Sequence, residues 1–317
     1  MGLAGNTVAR TDELAVRILH RIERWLQLRR FGFAYVLLLP LILVIAFVDI
    51  WPTYWAVRLS TWHKYLLNPG QDHFVGLGNY LQLAQDPLFW QSLKQGFMYA
   101  ASATVLQALV GLVVALCLNA PIKGKAFFRG IMLIPWVIPG ATAALMWMWM
   151  LNALVGVVND LLVFHLHIFK QPIPFLGLPS TALPSLVVVT VWVGFAFNLI
   201  MLLAALQAIP EDSYEAAEID GANEWQSFRF ITLPGISDTL GITMLLSFIW
   251  AFNYIDLVYI MTRGGPVHYS ETLSSYSYKL AMVKWQMGYG AAASVVVMAI
   301  LAGFAAVYIW RLQREEV

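Results

Sequence analysis

Six apolar runs, at about 32–51, 96–118, 128–150, 184–206, 237–260 and 290–310, punctuate this chain, with polar and charged residues gathered between them. Crossing ~30 Å of hydrocarbon takes ~20 helical residues, and each run is about that long. The pattern predicts an all-α integral membrane protein with six transmembrane helices. No signal peptide is expected in the first run, which starts some thirty residues in, is too long and has no small-residue cleavage site after it. Ahead of it, Leu14, Ile18, Ile22, Trp25 and Leu26 recur at helical spacing among arginines, which predicts a basic amphipathic surface helix over 11–30. Thr11 can cap its start, Asp12 and Glu13 suit the positive end of its dipole, and Arg29 and Arg30 suit the other end.

Composition narrows the class. A soluble domain with 60% hydrophobic and 12% charged residues, 13 Trp and 18 Phe could not cover its own surface. The net charge of +1 gives no footing for nucleic acid. The one cysteine, Cys117, lies inside an apolar run, which excludes a disulfide framework. With the N-terminus inside, the inner segments hold twelve Lys and Arg, from Arg10 to Arg314, and the outer ones seven, from Arg58 to Lys284. That bias predicts both termini in the cytoplasm.

Inside the third run, "LIPWVIPG" carries Pro135 and Pro139 one turn apart. Each removes an N–H from the helix ladder, so a kink or break is expected. Broken membrane helices persist where protein or a water-filled cavity covers the freed carbonyls, which fits a pathway as readily as a packing kink. The outer segments 52–95 and 151–183 are too long for simple turns. His165 and His167 lack a third ligand nearby and read as loop histidines rather than a metal site.

The connection between the fourth and fifth runs, 207–235, is acidic out of proportion to the rest. Glu211 to Glu224 holds six carboxylates, opposed only by Arg229. Pro210 suits the entry to a short helix, and Asp212 with Glu215 can form a capping box. Ala216 and Ala217 give a thin surface of high helix propensity, and Gly221 can take the left-handed turn that ends the helix. A second short helix, at about 223–231, leads to Pro234. Small residues ringed by carboxylates suit docking on a protein surface better than a solvated connector.

Here the chain resembles a known family. Glu215-Ala216-Ala217, Asp220-Gly221 and then Ile231-Thr232-Leu233-Pro234 are similar to the EAA motif of the permease subunits of binding-protein-dependent ATP-binding-cassette importers. "FVGLGNY" (74–80), "GKAFFRGIMLIPWVIP" (124–139), "TRGGP" (262–266) and "GYGAAASVVVMAI" (288–300) resemble the sugar-transport permeases related to the maltose importer. The resemblance implies a permease domain over 32–312, flanked by a cytoplasmic segment 1–31 and a cytoplasmic tail 313–317, in a bacterial inner membrane. It also implies that the acidic helix is a coupling helix seated on an ATPase subunit, through Glu215, Ala216, Ala217, Asp220, Gly221, Leu233 and Pro234. Expected partners are a second permease subunit, two ATPase subunits, an extracytoplasmic solute-binding protein, the lipid bilayer and a carbohydrate.

No G-x-x-x-x-G-K-[ST] loop occurs, so the chain is expected to bind no cofactor itself and to be no enzyme, leaving ATP and Mg to the partner. The rival reading is an ion-coupled secondary transporter of a small polar solute, for which ionisable residues near the midplane are usual. In the predicted spans the acids are Asp49, Asp238 and Asp256, near span ends, with Arg129 at an inner edge. Alignment with the maltose-type permease places sugar contacts at Val193, Gly194 and Phe197 in the fourth run, and at Ser247, Ala251 and Tyr254 in the fifth, with Asn253 beside them. Each set would share one helix face. Ala251 and Tyr254 depart from the polar and amide residues of the maltose type, so the resemblance implies a sugar or polyol rather than maltose in particular.

Overall fold

Apolar runs of this length become helices because a helix pairs its backbone N–H and C=O groups within itself, which hydrocarbon cannot do for them. The computed structural model describes Tyr35 and residues 37–315. Among these, five helices are long and apolar enough to cross a membrane, or six if one sharply bent pair is a single span. The expected surface helix at 11–30 lies outside the described residues, as do residues 316–317. The chain divides into two units, Met1–Arg58 and Leu59–Val317.

α1 (Leu37–Ser60) supplies most of what is described of the first unit, and it runs nine residues past the predicted end at 51. A π turn at Ala46–Ile50 loosens the ladder ahead of Pro52, so the missing proline N–H does not stop the helix. In the second unit an antiparallel ribbon pairs β1 (Trp62–His63) with β2 (His73–Phe74), followed by α2 (Gly78–Gln85) and α3 (Pro87–Asn119). Next come α4 (Lys125–Val137), α5 (Gly140–Met150) and, after an irregular segment, α6 (Pro179–Ala208). The acidic connection gives α7 (Glu211–Ile219), and the chain continues through α8 (Leu233–Phe252), α9 (Ile255–Thr262), α10 (Leu273–Tyr278) and α11 (Met287–Glu315).

The centre is the pair α3 and α6, with α8 packed against both. At Gly111 an added Cβ would stand 2.7 Å from the Asn198 Cβ and 3.0 Å from the Leu199 nitrogen, so glycine is what lets the two helices approach. One buried cluster gathers Tyr99, Leu186, Phe252 and Leu273, and a second gathers Leu118, Leu199, Leu202 and Ile236.

Two spans are broken, the third as its prolines led us to expect and the fifth without such a signal. The third bends by 94° between α4 and α5. Of its two prolines, Pro135 stays inside α4, near its last turn, and Pro139 makes the break. The residue before a proline is driven out of the α region, and Ile138 has extended backbone with ψ 127°. The fifth run was expected to continue to 260, but α8 ends at Phe252, and Asn253 and Tyr254 leave helical geometry before α9 begins. α9 packs on α5.

The quoted glycine motifs build a cap from the segments before α3 and after α9. Asn79 of "FVGLGNY" is buried and its Nδ2 donates to the carbonyls of Ser60 (2.7 Å) and Trp62 (3.0 Å). Gly288 lets α11 start against the Trp62 carbonyl, where a Cβ would overlap it. Beyond "TRGGP", Glu271 is 0% exposed and is held by Lys279 Nζ, His268 Nδ1 (3.0 Å) and the Ser275 hydroxyl (2.9 Å). Asp86 caps α3 through the Leu88 N–H (2.8 Å) and also accepts the hydroxyls of Tyr276 (2.5 Å) and Tyr289 (3.2 Å). Burial pushes the Asp86 carboxyl up, but those hydrogen bonds outweigh it and hold the group below the ordinary range. Burial, and then the Asp86 carboxylate, raise the Tyr276 phenol, which fixes it as the donor.

Candidate functional site

Both helix breaks open onto one cavity of 440 Å³. Ile138 and Gly140 reach it from the α4–α5 break, and Asn253 and Tyr254 from the α8–α9 break. The Tyr254 hydroxyl lies so close to Gly140 that a Cβ there would stand 2.6 Å from it. A broken helix presents freed backbone and side chains at membrane depth, which is how spanning bundles usually form solute sites.

Among the lining residues, Trp136, Phe197 and Trp250 form an aromatic arc, with ring centroids 6.1 Å apart for the first pair and 4.8 Å for the second. The lining also holds amides and hydroxyls. Gln107, 5% exposed, donates from Nε2 to the Thr190 carbonyl at 2.8 Å. The Thr190 hydroxyl donates to the Leu186 carbonyl (2.9 Å), so the buried Tyr99 hydroxyl donates to it at 2.5 Å. Ser247 accepts from the fully buried Asn198 Nδ2 at 2.9 Å. None of the described side chains lining the cavity is charged. Aromatic faces together with fixed hydroxyls and amides can hold a polyhydroxylated ring, and the volume is that of a small-molecule pocket.

All seven residues expected on the substrate pathway line this cavity: Val193, Gly194 and Phe197 from α6, Ser247 and Ala251 from α8, and Asn253 and Tyr254 from the break. The expected shared face holds for Ser247 and Ala251, whereas Tyr254 arrives from outside the helix. Gln107, Trp136, Thr190 and Trp250 line it too and were not singled out from sequence. An amide at Gln107, alone in an apolar run, was the available signal, because a polar group at that depth is costly unless it has a task.

The acidic hairpin is a second feature. α7 begins at Glu211 with Pro210 as its N-cap residue and no side-chain cap, which corrects the expected capping box of Asp212 and Glu215. Asp212 sits inside the first turn, too far along to cap it, and complements the dipole instead. The far end forms as expected: Gly221 has φ +82°, its N–H bonds the Glu218 carbonyl at 3.0 Å, and the Ala222 N–H reaches the Ala217 carbonyl at 2.9 Å. A short second helix, Glu224–Ser227, carries its own capping box between Asn223 and Gln226. It runs through a π turn, Phe228–Thr232, straight into α8, whose first turn holds Leu233 and Pro234. Tyr214 and Thr232 tie the two arms together at 2.9 Å. Glu215, Ala216, Asp220 and Gly221 are exposed and Ala217 is half-buried. Ile219 is 87% exposed, and Trp225 and Phe230 are exposed on the returning arm. Apolar side chains standing out among carboxylates make a surface suited to a protein partner.

A family model described as "Binding-protein-dependent transport system inner membrane component" matches residues 107–314. The chain is 33% identical over 284 residues to the trehalose/maltose transport system permease protein MalF of Thermococcus litoralis, covering 90% of this chain and 95% of that one. It is 31% identical over 310 residues to the sulfoquinovosyl glycerol transport system permease protein SmoG of Agrobacterium fabrum, covering 98% of this chain and 99% of that one. Its fold is similar to a chain of a bacterial ABC transporter involved in the import of the acidic polysaccharide alginate. That match has a TM-score of 0.74 at 22% identity and covers 90% of this chain and 98% of the other.

Proposed function

The chain belongs to the inner membrane components of binding-protein-dependent transport systems, and on that premise we propose that it is the permease subunit of an ATP-driven importer for a carbohydrate. The observation that carries this reading is a cavity at two helix breaks whose lining combines an aromatic arc with Gln107, Ser247 and Asn253. The names of the two relatives, both transporters of sugars or sugar glycosides, agree with it. An ion-coupled carrier has less support, because the described lining holds no ionisable acid or base of ordinary carrier type that could relay a proton.

The sequence has no phosphate-cradling loop, so hydrolysis of ATP, with Mg, falls to a separate ATPase subunit. We assign docking on that subunit to the hairpin through Glu215, Ala216, Ala217, Asp220 and Gly221, with Leu233 and Pro234 joining it to α8. The assembly is this chain, a second permease subunit, two ATPases and an extracytoplasmic binding protein, with both termini of this chain in the cytoplasm. Closure of the ATPases on ATP would drag the hairpin, and α8 with it, because the hairpin's second helix is continuous with α8. That motion opens the cavity outward to receive the solute, and hydrolysis resets it.

Reconstitution tests the reading. The assembled importer in liposomes should take up a radiolabelled saccharide only when ATP is supplied to the ATPase and the binding protein to the opposite side. Uptake driven by a proton or sodium gradient, with no need for ATP, would replace this reading with the carrier.

A further inference from the structure

We propose that a second cavity, walled by α5, the irregular segment after it and the start of α6, holds an acyl ester group of a membrane glycerolipid. The proposal does not depend on what the importer carries. This cavity measures 460 Å³, is almost wholly apolar, and has no charged side chain among its described lining. It faces away from the cavity at the helix breaks. α6 lines the second cavity with Ser180, Pro184, Ser185 and Val188, and the first with Thr190, Val193, Gly194 and Phe197. At 3.6 residues per turn, the centres of the two sets stand roughly 160° apart round the helix. The flank so defined is apolar outside as well as in. Val158 and Leu162 line the cavity from the irregular segment, while Val157, Leu161 and Phe164 beside them are exposed. In a chain of an inner-membrane family, such a flank, turned from the solute cavity, meets hydrocarbon.

Two donors select the ester. Ser185 lines the cavity and is only 8% exposed, and its hydroxyl bonds to none of the described residues. Trp147 lines it from α5, with its Nε1 buried and likewise without a partner. Buried O–H and N–H groups ordinarily find acceptors, and a plain hydrocarbon chain brings none. An acyl ester brings a carbonyl oxygen at the head of an apolar chain, which is the combination this lining asks for. A free fatty acid would bring a carboxylate, and an uncharged lining cannot pair it.

The test uses the complete importer, with its partner subunits, in lipid nanodiscs. A trace of diester phosphatidylcholine with a diazirine on one acyl chain is photolysed there, and the labelled peptides are mapped. The bulk lipid is either diester or diether phosphatidylcholine of the same chain length; the diether lacks the carbonyl and should compete poorly. The expected result is labelling of peptides that contain Trp147, Leu162 or Ser185, at least about fivefold stronger in diether than in diester discs. Ser185→Ala should weaken the labelling about fivefold. Val188→Trp, at a half-exposed position outside the core, should block it. Labelling confined to other peptides, or wild-type labelling in Val188→Trp, overturns the site. Equal labelling in the two kinds of disc, or no change in Ser185→Ala, overturns the recognition of the ester. Labelling that appears only after another subunit is stripped away would give the cavity to that subunit, and overturns the proposal too.

Discussion

Gly194→Ala isolates the contribution of one amide to the cavity. An alanine Cβ would overlap Gln107 Nε2 and stand 2.7 Å from its Cδ, where about 3.5–4 Å is comfortable. The amide has to swing away, and its 2.8 Å bond to the Thr190 carbonyl is lost. Leaving a buried polar group unsatisfied costs about 1–3 kcal/mol. Working the other way, alanine is favoured over glycine in a helix interior by about 0.8–1 kcal/mol. The net destabilisation is therefore about 0–2 kcal/mol, a shift of a few degrees in the unfolding midpoint. Transport should suffer more visibly, because a lost hydrogen bond from the Gln107 amide to the solute is worth about 1–1.4 kcal/mol, or roughly a five- to tenfold rise in KM. Thermal unfolding of the purified complex and initial uptake rates measure the two effects separately. Gln107→Ala should reproduce the KM change, and the double variant should be no worse than either single one. Wild-type KM in Gly194→Ala, or fully additive losses in the double variant, would refute the role given to Gln107.

Three other outcomes follow from the geometry. Gly221 has φ +82° and nothing within 4 Å of a would-be Cβ, so Gly221→Val acts through the backbone alone, at about 1 kcal/mol or somewhat more; the protein should insert normally yet lose ATPase co-purification and uptake, and full retention of both would refute the docking role. The carboxyl of Asp86 is held below its ordinary value, so its stabilisation is present above the unfolded pKa of about 3.9 and is lost as pH falls through the lower folded value. Asp86→Asn should thus lower the unfolding midpoint at neutral pH and match the wild type at the acid end, and a pH-independent gap would contradict the assignment. Glu271→Ala removes a fully buried carboxylate from Lys279, His268 and Ser275 and should destabilise the protein by about 3 kcal/mol in thermal unfolding; a loss under about 1 kcal/mol would show that the group is not a structural tie.

Hydropathy made the spans legible but not their ends. α3 begins where Asp86 meets Pro87, nine residues before the predicted 96, and α6 begins at Pro179 rather than at 184, because a helix can run on past the apolar stretch that announces it. Pro139 signalled the α4–α5 break, whereas Pro135 gave the same local signal and sits inside α4, where it forfeits the one ladder bond to the Ile131 carbonyl. The break at Asn253 had no glycine or proline to announce it; it depends on α9 packing against α5, a contact no local pattern contains. Asp212 shows the fineness of cap placement, since a helix starting at Glu211 puts it inside the first turn. Five of the seven pathway residues lie on α6 and α8, but grouping them came from resemblance, and only the fold adds Gln107 from α3 and Trp136 from α4.

The most direct test of the central claim, that the solute crosses through this cavity under the control of ATP bound elsewhere, is thiol accessibility at Asn253. Asn253→Cys is placed in a Cys117→Ser background, because the native thiol is exposed, and the assembled importer is put into liposomes. A membrane-impermeant maleimide is then added on the side of the binding protein. The account predicts fast labelling when ATP is trapped in the ATPases, slow labelling without nucleotide, and protection of the open state by saccharide. Equal labelling in both nucleotide states, with no protection by any saccharide, would contradict it.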